Sequence, residues 1–238
     1  MNLATRFIHS FRRRGMFDTF RLVGSEIADW AYDWRHGVRT HPVVDARDFD
    51  SDFEEAREHS RRYQPTRARP LQRLLRRLDL PRDSAFVDVG SGMGRVLFVV
   101  APLGFKRVVG VEFAADLCEA ARENARTFAA RHPKASPIEI INHDAGQYRL
   151  KPDESVVYLY NSFDDFIMRK FMEQVRSSLA EHPRDLWLIY AQPDLPSEIE
   201  KSGLFPAPER IGISVMEFWI YQHRKDEPAR GGIIHVDS

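Results

Sequence analysis

One cysteine, Cys118, is all that 238 residues contain. Its solitude excludes an intrachain disulfide and any cysteine-based metal cluster, and it suits a reducing cytoplasm, the compartment we expect. An excess of charge is missing too: Lys and Arg number 35, and so do Asp and Glu. No global field therefore points to nucleic acid. No apolar run approaches the roughly 20 residues of a membrane span; the longest, residues 96–105, is broken by Pro102. Internal repeats and low-complexity tracts are absent. What the length allows is one globular domain with an appendage.

Against these absences stands one dense stretch, residues 84–112, SAFVDVGSGMGRVLFVVAPLGFKRVVGVE. It reads as a buried strand over 85–89, a turn carrying Gly90, Gly92 and Gly94, an apolar helix over 95–103 and a second buried strand over 107–111 that ends in Glu112. A turn directly after a parallel strand puts backbone N–H groups and the positive end of the next helix at the carboxyl edge of a sheet. Glycine is needed there because a Cβ holds a ligand off the backbone. A carboxylate at the tip of the neighbouring strand accepts the hydroxyls of a ribose, so the expected ligand is an adenosine derivative. A dinucleotide fingerprint aligned on Gly90 and Gly92 requires a small residue at position 95 for close helix-strand packing, and the residue is Arg95.

Asp88-x-Gly90-x-Gly92-x-Gly94 resembles motif I of the seven-strand S-adenosylmethionine-dependent methyltransferases, and Glu112 resembles the acid that ends their second strand. The resemblance implies an α/β fold with a Rossmann-like seven-strand sheet, mostly parallel with an antiparallel C-terminal strand, plus N-terminal helices. It implies S-adenosyl-L-methionine as cofactor. Cofactor contacts are then expected at Asp88, Gly90, Ser91, Gly92, Gly94 and Arg95, and at Glu112. Phe113 either packs on the adenine or is ordinary core. Upstream, Tyr63-Gln64-Pro65-Thr66 is similar to the pre-motif loop of the seven-strand lysine methyltransferases, both the histone-lysine enzymes that lack a SET domain and those acting on mitochondrial membrane proteins. That likeness puts Tyr63 and Thr66 at the methionine end of the cofactor. The residues alone allow a plainer reading, in which Pro65 sets an extended turn and Thr66 N-caps the next helix.

The rest of the chain is arranged around this unit. Residues 1–35 carry apolar positions at near-helical spacing on either side of Gly15, and the first segment is basic, with Arg6, Arg12, Arg13 and Arg14. A transit-like or membrane-surface helix, an oligomer or substrate arm, and a helical cap all fit, and the cap or arm is favoured because the aromatic pattern runs well past the basic part. Residues 37–52 read as a linker or covering loop, 53–62 as a short charged helix and 68–78 as an amphipathic helix. Segment 115–131 is helical with Cys118 on its apolar face, a core residue rather than a nucleophile. After a third strand (138–141) come His143, expected at the surface, then Asp144 and Ala145. The resemblance gives Asp144 the adenine amine, whereas the residue alone is an N-cap.

A fourth strand over 156–159 leads to Asn161-Ser162-Phe163, where such enzymes present motif IV. The prolines of (D/N)-P-P-(Y/F) are absent, which argues against DNA adenine methylation and brings the segment nearer the N-N-F type element of the histone-lysine enzymes. Asn161 and Phe163, with Tyr63, are the expected catalytic residues. Asp164 and Asp165 read as first-turn acids of a helix over 166–179. A fifth strand (186–190), a short helix ending near Gly203 and an antiparallel pair over 205–211 and 214–221 complete the domain. The expected division is a helical cap or arm with linker over 1–62, a methyltransferase domain over 63–223 and a tail over 224–238. The expected activity is N-methylation of a protein lysine or other primary amine. A small-molecule methyltransferase and a non-catalytic binding module of the same fold are the alternatives. The partner is thus a methyl acceptor, with no nucleic acid expected, no transmembrane segment, and peripheral membrane contact by the N-terminal helix left open.

Overall fold

The computed structural model describes residues 16–41, 50–60 and 63–226. The basic segment 1–14, residues 42–49 of the loop 37–52 and the tail beyond Asp226 lie outside them. Helix α1 is Met16–His36, α2 is Glu54–Glu58 and α3 is Ala68–Leu75. Then follow β1 (Ala85–Val89), α4 (Arg95–Val100), β2 (Arg107–Glu112), α5 (Ala115–Arg131), β3 (Ile138–Asn142) and β4 (Glu154–Leu159). The chain continues with α6 (Asp165–Glu181), β5 (Leu186–Ala191), α7 (Pro196–Lys201), β6 (Glu209–Ile213) and β7 (Met216–His223).

The seven strands form one sheet in the order β3-β2-β1-β4-β5-β7-β6. The first five run parallel, and β7 pairs antiparallel with both β5 and β6. Alternate residues of the inner strands face opposite sides. Phe86, Val108, Val156, Tyr158 and Ile189 join the core beneath α3 and α4, while Val87, Val109, Val157 and Leu188 join the one beneath α6 and α7. Both faces being covered, the strands read as continuous apolar runs, which is what made them visible in the sequence.

Several element ends differ from expectation for definite reasons. The helix over 95–103 is α-helical only to Val100, and Ala101–Leu103 is a 3-10 turn built around Pro102. Strand β4 starts two residues early, at Glu154, a charged residue that burial against Arg107 makes compatible with a strand. The strand expected from residue 205 starts at Glu209, because Phe205 is buried with its ring 5.9 Å from that of Tyr221. Thr66 does not cap α3: the Ala68 N–H donates to Asp29 Oδ1 at 3.0 Å, a carboxylate from α1, and the Thr66 hydroxyl lies 3.1 Å from that of Tyr158.

Helix α1 is therefore bound closely to the domain it precedes. Asp29 also pairs with Arg67 at 2.9 Å, and Asp29 and Asp33 both face the guanidinium of Arg95. Asn124 of α5 donates to the Arg39 and Met93 carbonyls and accepts from the Arg39 N–H, clipping residues 37–41 to the loop after β1.

Candidate functional site

The strands β1, β2, β3 and β4 end at one edge of the sheet, and their following loops enclose a cavity of about 760 Å³ with its open mouth. Gly90, Gly92 and Gly94 have φ of +80°, +51° and +88°, values that side-chain-bearing residues rarely adopt. Space is a second reason for glycine: a Cβ at Gly90 would strike the Ser162 side chain, and one at Gly92 would strike the Tyr63 ring. The turn is thus pressed by the pre-motif segment on one side and the loop after β4 on the other.

Glu112 reaches this turn from the tip of β2. Its Oε2 accepts from the Gly92 N–H at 2.8 Å and its Oε1 from the Ala114 N–H at 3.0 Å. Burial raises its pKa from the usual carboxylate value to about 7, against the pull of those two N–H donors. Asp88, the penultimate residue of β1, is raised well above its ordinary range by burial and then by the like charge of Glu112. Ser91 Oγ is buried on the cavity wall with no hydrogen-bond partner. Asp144 caps a 3-10 turn, accepting from the Gly146 N–H at 2.8 Å and from Gln147 Nε2 at 3.0 Å, and it too lines the cavity. Phe113 and Ala145 stand beside these acids on the same wall.

The expected site residues separate into those the fold brings to the cavity and those it does not. Tyr63, Thr66, Asp88, Gly90, Ser91, Arg95, Glu112, Phe113, Asp144, Ala145 and Phe163 all line it. Arg95 does so with its charge already committed. It pairs with Asp33 at 2.9 Å and Asp29 at 3.3 Å, its Nε donates to Thr40 Oγ1, and His41 Nδ1 lies 3.1 Å from its Nη2. The guanidinium thus anchors α1, while its Nη1, facing Asp29, makes no hydrogen bond. Tyr63 belongs to the same group, its hydroxyl donating to the Thr40 carbonyl at 2.9 Å.

Asn161, an expected catalytic residue, is not among the residues that line the cavity. Its φ is +43°, and its amide is spent on the neighbouring loop, donating to the Gln192 carbonyl and accepting from the Asp194 N–H at 3.3 Å. A left-handed residue turns the chain so that the next side chain, Ser162, faces the cavity together with Tyr160 and Phe163. Asp164 behaves as the expected N-cap, accepting from the Phe166 and Ile167 N–H groups. Its second oxygen meets His59 Nδ1 at 2.6 Å, and Ser60 pairs with Phe163 as a β-bridge. Since Asp50 accepts the Ala115 N–H and Ser51 donates to the Phe113 carbonyl, residues 50–60 cross the cavity mouth from the end of β2 to the end of β4.

Sequence reasoning missed Asp29, Asp33 and Ser162. A signal for the first two existed: a cation in place of a small residue at position 95 must find acids once buried. Ser162 had no such signal, because the turn at Asn161 decides which of two adjacent polar residues looks inward.

Comparison with known proteins agrees with this geometry. Residues 58–136, a third of the chain, match the family model described as histone methylation protein DOT1. An RNA methyltransferase from Salinibacter ruber, solved with S-adenosyl-L-homocysteine, is 22% identical, with a TM-score of 0.51 over 69% of this chain and 97% of that one. A SAM-dependent methyltransferase from Aquifex aeolicus is 14% identical, with a TM-score of 0.50 over 64% of this chain and 88% of that one. The pyocyanin biosynthetic protein PhzM is also 14% identical, at a TM-score of 0.51 over 65% of this chain and 54% of that one. No curated protein matches the sequence. The chain has the seven-strand, class I fold of S-adenosylmethionine-dependent methyltransferases. Its expected cofactor is S-adenosyl-L-methionine.

The residues present fit that cofactor. The Ser91 hydroxyl is a buried polar atom without a partner on the cavity wall, and Glu112 and Asp144, which line the same wall, retain acceptor lone pairs. Among the described residues no group of three or more His, Cys, Asp or Glu is placed to hold a metal ion, and no helix is long and apolar enough to cross a membrane.

Proposed function

We propose that the chain methylates a primary amine, foremost a protein lysine, with Glu112 holding the ribose hydroxyls, Asp144 the adenine amine, and the glycine turn with Ser91 the methionine portion. The observation that carries the reading is the division of one cavity into two chemistries. At the ends of β2 and β3 its wall carries the carboxylates of Glu112 and Asp144, suited to a nucleoside; at the end of β4 it is Tyr160, Phe163 and Ile167 with the Ser162 hydroxyl among them, and Tyr63 lies over the glycine turn between the two. When bound, S-adenosyl-L-methionine supplies a sulfonium-activated methyl group. The chain's own task is to align a neutral nucleophile and exclude water, and aromatic and apolar walls do both. They also favour the uncharged form of an amine, which must shed its proton before attack. The match to a histone methylation family over the segment that includes Tyr63, Thr66 and the glycine turn supports a protein acceptor.

A second reading, a small-molecule acceptor, draws support from residues 50–60, whose Ala56 and Ser60 narrow the mouth. Transfer of labelled methyl from S-adenosyl-L-methionine into cell lysate separates the two. Label in a protein band, released as methyl-lysine on hydrolysis, is the expected result. Label confined to low-molecular-weight material removes the lysine reading. Calorimetry with S-adenosyl-L-homocysteine guards against a non-catalytic module: no binding leaves the fold without its chemistry.

A further inference from the structure

Among the described residues three large hydrophobic side chains are exposed, and all three lie on α1: Ile27 at 63%, Trp30 at 58% and Trp34 at 84%. With the exposed Ala31 they fall at i, i+3, i+4 and i+7, a continuous stripe on one helix face. Exposed apolar residues scattered singly need no explanation, but a stripe containing two tryptophans does. Burial of the opposite face accounts for every acid of this part of the helix. Asp29 and Asp33 are turned inward onto Arg67 and Arg95, and Glu26 reaches Arg67 at 3.5 Å. The outward side is left apolar and cationic, with Arg35 and Arg39 exposed at its C-terminal end and Arg131 beside them, donating to the Arg35 carbonyl.

From this segregation we infer that the outer face of α1 binds an anionic lipid surface. Tryptophan has its highest preference at the boundary between water and hydrocarbon, where an amphipathic ring is satisfied on both sides, and flanking arginines meet the headgroup charge. The chain just before α1 adds to the same charge: residues 1–14 contain Arg6, Arg12, Arg13 and Arg14, no acid, and the apolar Leu3, Phe7, Ile8 and Phe11. A second copy is the poorer occupant, because two-fold pairing through this face would bring two cationic patches together. The inference does not depend on methyl transfer, since α1 presents this face whatever the cavity accepts.

The test uses the full chain with vesicles of phosphatidylcholine alone or mixed with phosphatidylglycerol. Co-sedimentation with the mixed vesicles, weakened by salt and accompanied by a blue shift of tryptophan emission, is the expected result. The double variant Ile27→Ser with Trp34→Ser alters exposed residues only, so it should keep its melting temperature and its affinity for S-adenosyl-L-homocysteine while partitioning about tenfold less. Failure to bind the anionic vesicles, or equal binding by the variant, overturns the inference. So does a concentration-dependent dimer that Trp34→Ser dissolves, which assigns the face to a second copy, or capture of a labelled RNA oligonucleotide in place of vesicles.

Discussion

Buried carboxylates stand at both ends of the central sheet, and they are held in opposite ways. Glu154, at the amino end of β4, is fully buried yet satisfied: Arg107 Nη2 at 2.9 Å, the Tyr148 hydroxyl at 2.9 Å and the Lys151 N–H at 2.8 Å surround it. Asp88 and Glu112, at the carboxyl end, are buried as well, but no cation pairs with either; burial raises the pKa of all three acids, and the like charge of Glu112 raises that of Asp88 further. A buried acid enclosed by donors is a piece of scaffold. One that no cation neutralises, beside a cavity, is suited to a ligand's hydroxyl or amine.

The sharpest way to break this contrast is to take the cation from the first group. Arg107→Ala leaves the Glu154 carboxylate buried with only the Tyr148 hydroxyl and the Lys151 N–H bonded to it and also breaks the Arg107–Asp153 pair, and unfolding in urea should show a loss of about 3 kcal/mol. Affinity for S-adenosyl-L-homocysteine should not change; an equal loss there would mean that the two ends are one coupled unit. Next in size, Glu112→Ala should weaken binding of the same ligand by about 1–3 kcal/mol through lost hydrogen bonds to the ribose, with a smaller effect on unfolding than Arg107→Ala has. Unchanged affinity would remove Glu112 from the site.

Acidity sharpens the contrast further. Because Glu112 titrates at about 7 in the folded chain and lower when unfolded, the native state holds the extra proton between those values. Its contribution to stability is therefore fully present in acid and is lost as the pH rises through about 7. With Glu112 on the ribose as proposed, ligand binding runs the other way, since ionisation leaves both oxygens free to accept hydroxyl protons. Affinity for S-adenosyl-L-homocysteine should rise about tenfold from pH 6 to pH 8, and Glu112→Gln should flatten the profile. A flat profile in the unaltered chain would place the proton elsewhere.

How much of this was legible in the sequence follows from what kind of signal each feature leaves. The parallel strands, the glycine turn and Glu112 are local patterns, because strands covered on both faces are continuous apolar runs and a tight turn demands glycine. Asp29 and Asp33 leave no pattern of their own: they lie some sixty residues from Arg95 in the chain, and nothing in an acid on a helix says that it points inward. Glu154 was passed over as a strand residue for the same reason, its partner Arg107 being on another strand. The N-terminal helix looked like an appendage because its apolar residues were visible and its ion pairs were not.

The exit of β4 repeats the contrast on two adjacent residues, and here the expected effect is smallest. Asn161 has both ends of its amide engaged and sits at φ +43°, a conformation that asparagine tolerates better than alanine. Ser162 makes only long contacts of 3.3–3.4 Å to the Val89, Gly90 and Tyr160 carbonyls while facing the cavity. If the same rule holds, Asn161→Ala should cost about 1 kcal/mol of stability by loosening the loop after β5. Ser162→Ala should leave the melting temperature within the scatter of surface substitutions and change turnover instead. The reverse outcome, a stable Asn161→Ala with impaired turnover and a destabilised Ser162→Ala, would show that a satisfied hydrogen-bond inventory does not distinguish scaffold from site at this edge of the sheet.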